Sequence, residues 1–129
     1  MHKYSLILSR FTGQTKIPVF ELCKNGQSIF EEFYDEIEKE GNLFGQLAGA
    51  ISVIEHTSNL KLLPQKKFRQ LTIKGLDCKV YEAKSGSIRI YLFHEEKTGR
   101  VIVTGGKKGE QDEDIAQIEH IIKSYYNEK

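Results

Sequence analysis

Four short segments between Lys67 and Thr104 constrain this chain most. KFRQLTIK, CKVYEAK, SIRIYLFH and RVIVT each run five to eight residues and are rich in β-branched and aromatic side chains. Gly75, Ser85–Gly86 and Lys97–Gly99 separate them, and Gly105–Gly106 follows the last. Connections this short suit antiparallel neighbours, because a parallel pair needs a crossover of a dozen or more residues. Residues 67–104 are therefore expected to form a meander of about four strands. A two-residue turn at Ser85–Gly86 pairs Glu82 with Arg89 and Val80 with Tyr91. One more turn residue changes those pairs.

The residues before the meander read differently. Tyr4–Ser9 alternates as a first strand, and Lys16–Leu22 is a second extended piece with Pro18 near an edge. Ser28 and Glu31 form an S-x-x-E capping signal before a helical stripe of Ile29, Phe30, Phe33 and Ile37, and Gly41 ends it. A second helix follows from about Asn42 to Thr57, with Leu43, Leu47, Ala50 and Ile54 on one side. Gln111–Tyr126 is the last helix, with Ile115, Ile118, Ile122 and Tyr125 at helical spacing. The expected fold is α+β: a small antiparallel sheet with an N-terminal helical hairpin and a C-terminal helix. One domain spans 1–129, with the helices on one sheet face and basic side chains on the other.

Charge is unevenly distributed along this order. Residues 1–60 carry 5 Lys and Arg against 8 Asp and Glu, and residues 61–108 carry 12 against 4. Residues 109–129 carry 2 against 6. The middle segment, at +8, is the part expected to meet an anionic partner such as RNA. The longest apolar runs are about four residues, against the ~20 that span a bilayer. Residues 1–9 lack the apolar core of a secretory signal. The expectation is a cytoplasmic protein with no membrane partner.

Metal, nucleotide and triad patterns are missing from the sequence. His2, His56, His94 and His120 have no ligand spacing, and Cys23 and Cys78 form no C-x-x-C pair. GGKKGE lacks the spacing and Ser/Thr of a phosphate-binding loop, and Ser28 and Ser87 lack a nucleophile-elbow context. No cofactor or metal is expected. Lys and Arg instead fall on successive strands, and strands about 4.8 Å apart can present them to one phosphate backbone. Tyr81 and Tyr91 are interleaved and could stack on unpaired bases or close the core edge.

The run from Lys74 to Phe93 (KGLDCKVYEAKSGSIRIYLF), the ending VIVTGGKK at Val101–Lys108 and the PQKKFRQL run at Pro64–Leu71 resemble the RelE/ParE toxin superfamily. The nearest likeness is to its phage-derived HigB-like group, over roughly residues 25–126. The resemblance implies the toxin of a type II toxin-antitoxin system: a metal-independent, ribosome-dependent mRNA endonuclease, or mRNA interferase. Its partners would be a cognate antitoxin and mRNA on the ribosome, and a homo-oligomer is compatible with it. The alternatives are a non-catalytic nucleic-acid- or protein-binding relative and a gyrase-directed ParE-like toxin.

On the matching positions, Arg89 stands for the arginine that stabilises the phosphate. Lys107 and Lys108 stand for the basic pair after the last strand, with an acid or charge-stabilising role. Lys84 occupies the position of a strand arginine, and Lys79 that of a strand lysine. Lys66, Lys67 and Arg69 would contact the backbone. The family's tyrosine early in the last helix has no counterpart, since Asp112–Ile115 holds acids and an isoleucine.

Overall fold

The computed structural model describes residues 3–128; His2 lies outside them. Seven strands form one sheet: β1 (Tyr4–Leu8), β2 (Val19–Lys24), β3 (Gln27–Ser28), β4 (Phe68–Leu71), β5 (Lys79–Ser85), β6 (Ile88–Glu95) and β7 (Gly99–Lys107). Their order is β1-β2-β7-β6-β5-β4, with β3 paired to β2. Helices α1 (Ile29–Glu40) and α2 (Phe44–Ser58) lie between β3 and β4 in sequence, and α3 (Gln111–Asn127) follows β7.

The four-strand meander β4–β7 forms as expected, but the sheet is not wholly antiparallel: β2 runs parallel to β7. The helices carry the chain from β2 across the sheet to the β4 edge, and the meander then returns to β2 pointing the same way. That connection is the crossover that parallel neighbours need.

The expectation of helices on one face is also corrected. Helices α1 and α2 cover one face, where Phe30, Ile37, Leu47, Ala50 and Ile54 pack on Ala83, Ile88, Ile90, Leu92 and Ile102. Helix α3 covers the other, where Ile118, Ile121, Ile122 and Tyr125 pack on Leu22, Val80, Tyr91, Phe93, Val101 and Val103. The all-buried run Ile88–Phe93 in β6 follows from this, because a strand covered on both faces has no solvent side. Truncating Leu92 to alanine should cost about 2–5 kcal/mol.

Local signals explain the helix start. Ser28 Oγ accepts from the Glu31 N–H at 3.1 Å and donates to Glu21 Oε1 at 2.6 Å. The buried Glu21 also accepts from Ser9 Oγ at 2.9 Å, so its charge sits among hydroxyls. Glu31 pairs with Arg10 instead of reaching back to the cap.

Two backbone features place the site. The hairpin turn is Gly86–Ser87, not Ser85–Gly86, so Lys84 faces Arg89 and Glu82 faces Tyr91. Gly86 has φ +57, the left-handed value that glycine supplies at the first position of a tight hairpin turn. In addition, β7 does not end at Gly105–Gly106 but continues to Lys107. The register slips between Tyr91 and Leu92, where Tyr91 pairs Thr104 and Leu92 pairs Ile102. Val103 is the extra residue of a bulge, and it reverses the in–out phase of β7 beyond it. Gly105 then lies against the Phe33 ring of α1, and Gly106 against the Asp114 carboxylate of α3. A Cβ at either position would collide with those groups, so these glycines permit close approach from both helix layers.

Candidate nucleic-acid interface

At the turn end of the β5–β6 hairpin, a cavity of about 580 Å³ opens between the hairpin, α2 and the segment before β4. Its walls include Lys66, Lys67, Lys84 and Arg89, together with Ser52, His56 and Ser85. No described carboxylate lines it. Four of the residues singled out in the sequence thus meet around one concave surface.

Backbone geometry brings them there. The Lys67 N–H donates to the Pro64 carbonyl at 2.8 Å, closing a turn that starts β4. The Lys84 N–H donates to the Lys67 carbonyl at 2.7 Å, which ties Lys67, just before β4, to Lys84 of β5. Lys84 lies opposite Arg89 in the ladder. Lys66 and Lys67 are exposed and Lys84 is half-buried, so all three can reach an anion.

Arg89 is held more tightly. Only 7% exposed, it donates from Nη1 to the carbonyls of Gly86 (2.7 Å) and Ile88 (3.1 Å), while Nε has no hydrogen-bond partner among the described residues. Behind it, under α3, lies a polar group of the buried Glu82 and Tyr91 and the half-buried Asp114. Glu82 accepts from Arg69 Nε at 2.9 Å with no side-chain exposure of its own. The Tyr91 hydroxyl faces Glu82, yet neither it nor Glu82 Oε2 nor Asp114 Oδ2 completes a hydrogen bond. Burial first, and then Glu82 and Asp114, push the Tyr91 hydroxyl well above its ordinary value. Burial, reinforced by Glu110, Glu113 and Glu82, pushes the Asp114 carboxyl up to about 6. Negative charge is therefore disfavoured in this layer; Arg69 pairs with Glu82, and the Arg89 guanidinium partly offsets the rise at Tyr91.

The other sequence candidates lie apart. Lys107 is on the α1 side, with Nζ 3.3 Å from Glu40 Oε2, because the Val103 bulge turns it away from Arg89. Lys108 is exposed beyond β7, and its N–H donates to the Ser87 carbonyl at 2.7 Å. It therefore stands beside the hairpin turn but outside the cavity wall. Lys79 opposes His94 at the far end of the hairpin, about 17 Å along the strand from Lys84. Arg69 is engaged by Glu82.

Neither tyrosine offers an open ring. Tyr91 is fully buried, which corrects its reading as a base-stacking platform. Tyr81 stacks on Phe68 at 4.9 Å and 17°, with the Arg100 guanidinium 5.6 Å from its ring centre. That guanidinium also donates to Thr57 and Ser58 of α2, and burial lowers its pKa. The stack therefore ties β4 and β5 to α2.

Sequence reasoning missed His56. Its signal was weak: a lone histidine one helical turn after Ser52, with no partner motif nearby in sequence. Among the described residues, no group of three or more His, Cys, Asp or Glu is placed to hold a metal ion, and no helix is long and apolar enough to cross a membrane. No family model, curated protein or solved structure matches the chain.

Proposed function

We propose that the protein binds RNA at the basic cavity and acts as the toxin of a type II toxin-antitoxin system, cutting mRNA on the ribosome. The observation that carries this reading is the convergence of Lys66, Lys67, Lys84 and Arg89 on one cavity without a carboxylate. Attack of a ribose 2′-OH on its neighbouring phosphodiester concentrates charge on a five-coordinate phosphorus. Fixed cations in a concave site stabilise that charge more than they stabilise the starting diester. Arg89, immobilised by the Gly86 and Ile88 carbonyls of the hairpin, is such a fixed cation; the lysines hold the flanking phosphates. The element order supports the reading too, with a helix pair lying between the strand parallel to β7 and the meander.

Inducing the protein alone in growing bacteria tests this. The expected result is growth arrest with new 5′ ends in messages, both relieved by Arg89→Ala. Normal growth and intact messages at high levels of folded protein would contradict it, and a DNA-damage response without message cleavage would point to gyrase.

A second reading is RNA binding without cleavage. It is favoured by the acidic first turn of α3, where Asp112, Glu113 and Asp114 replace the tyrosine of the toxins that the sequence resembles. Under that reading, RNA is bound with a steep salt dependence and released intact.

A further inference from the structure

We propose that His56 is the general base of the RNA cleavage described above, an inference that rests on the ribonuclease reading. The cavity's charged groups are all cations, and a 2′-OH needs a group that can take its proton. Among the lining side chains, lysine and arginine are ordinarily protonated donors and the serines are weak bases. Imidazole is the one lining group of a type that ordinarily offers a basic lone pair near neutrality.

The geometry fixes which nitrogen offers it. His56 Nδ1 lies 2.9 Å from the Ser52 carbonyl oxygen, one turn earlier on α2. A carbonyl can only accept, so Nδ1 is the donor, and in the neutral ring the lone pair is then on Nε2. A second contact, 3.4 Å to Ser52 Oγ, holds the same edge of the ring. Nε2 therefore lies on the ring edge away from the helix backbone and has no described protein partner. The helix itself is held close to the hairpin, because Gly49 leaves room for Ser85 Oγ where a Cβ would clash. Ser52 and His56 of α2 thus line the same cavity as Lys84 and Arg89 of the hairpin.

The step balances without a co-reactant. Nε2 takes the 2′-hydroxyl proton as O2′ bonds to phosphorus, with negative charge building on the phosphoryl oxygens beside Arg89. The P–O5′ bond then breaks, and the 5′ oxygen takes a proton from a lysine ammonium of the cavity. The products are a 2′,3′-cyclic phosphate and a 5′-hydroxyl. His56 returns its proton to water, and the lysine regains one.

The test uses the full chain in a purified translation mixture, with cleavage followed by primer extension. His56→Ala and His56→Gln should each lower the cleavage rate 10²–10⁴-fold, the usual worth of a general base. Glutamine can still donate to the Ser52 carbonyl and so preserves the fold if alanine does not. RNA affinity of the glutamine variant should stay within about twofold of wild type, and added imidazole should restore part of the alanine variant's activity. Cleavage by both variants at the wild-type rate overturns the proposal and leaves the ribonuclease reading standing. Loss without imidazole rescue, accompanied by lost RNA binding, also overturns it by making His56 structural. Absence of cleavage by the wild-type protein would instead remove the ribonuclease reading and this inference with it.

Discussion

The β5–β6 hairpin has a cavity at each end, and the two are chemical opposites. At the turn end, about 580 Å³ is bounded by Lys66, Lys67, Lys84 and Arg89. At the open end, about 630 Å³ is bounded by Asp77, Glu95 and Glu96, with Lys123 as its lining Lys or Arg. Their sizes are nearly equal, so volume does not distinguish them as sites for a phosphodiester. Charge does: a phosphate entering the open end meets carboxylates, and one entering the turn end meets cations. Lys123 is in addition tied to Glu119 at 2.8 Å. A chain whose formal net charge is +1 thus separates its charge along two strands, and whole-chain charge is a poor guide to what it binds.

Among the charged residues of the two cavities, the largest expected effect is that of Arg89→Ala, which should lower cleavage by 10²–10³-fold, as loss of a fixed charge-stabilising donor commonly does. Primer extension on translating ribosomes checks it. Glu95→Gln and Glu96→Gln at the other cavity should leave cleavage unchanged, and an equal loss there would erase the distinction between the two ends.

Lys84→Ala should weaken RNA binding roughly tenfold at low salt. It should also reduce the slope of log affinity against log salt by about one. Filter binding across a salt series gives both values, and an unchanged slope would remove Lys84 from the interface.

Asp114→Asn separates the buried layer from the cavity in front of it. The Asp114 carboxyl rises from an ordinary 3.8 to about 6 on folding, so the unfolded chain loses this proton first as pH increases. Its ionisation therefore draws down stability between about pH 4 and pH 6, and the loss persists above. The asparagine variant should match wild type below pH 4. Near pH 7 it should be more stable by on the order of 1 kcal/mol, allowing for partial exposure. Thermal melts at the two pH values decide this.

Lys107→Ala should have the smallest effect, within twofold on RNA affinity and about 0.5 kcal/mol on stability, because it removes an exposed pair with Glu40. A loss matching that of Arg89→Ala would show that Lys107 leaves Glu40 to join the substrate.

These cases show where sequence was informative. Both long helices of the pair, the last helix and the four meander strands were legible, because their apolar periods and turn glycines point the same way. The fall of Lys and Arg on successive strands was legible as well, but which of them share a cavity was not, because that depends on strand register. What escaped was set by the third dimension. A bulge leaves no mark in the alternation of RVIVTGGK, yet it decides that Lys107 faces α1. The pair Gly105–Gly106 reads as a strand end, but both glycines sit within β7 to admit Phe33 and Asp114. Tyr91 shares a strand face with Arg89 and reads from sequence as a candidate stacking ring, but α3 covers that face and buries it. His56 needed the approach of α2 to the hairpin before it had any context at all.

RNA binding at the basic cavity is tested most directly by mapping where RNA touches the protein. Backbone amide resonances can be followed while a short single-stranded RNA is titrated into the wild-type chain. Shifts should concentrate at Ser52–His56, Lys66–Lys67 and Lys84–Arg89, with Asp77–Cys78 and His94–Glu96 unmoved. Shifts centred on His94–Glu96, or none anywhere at saturating RNA, would contradict it.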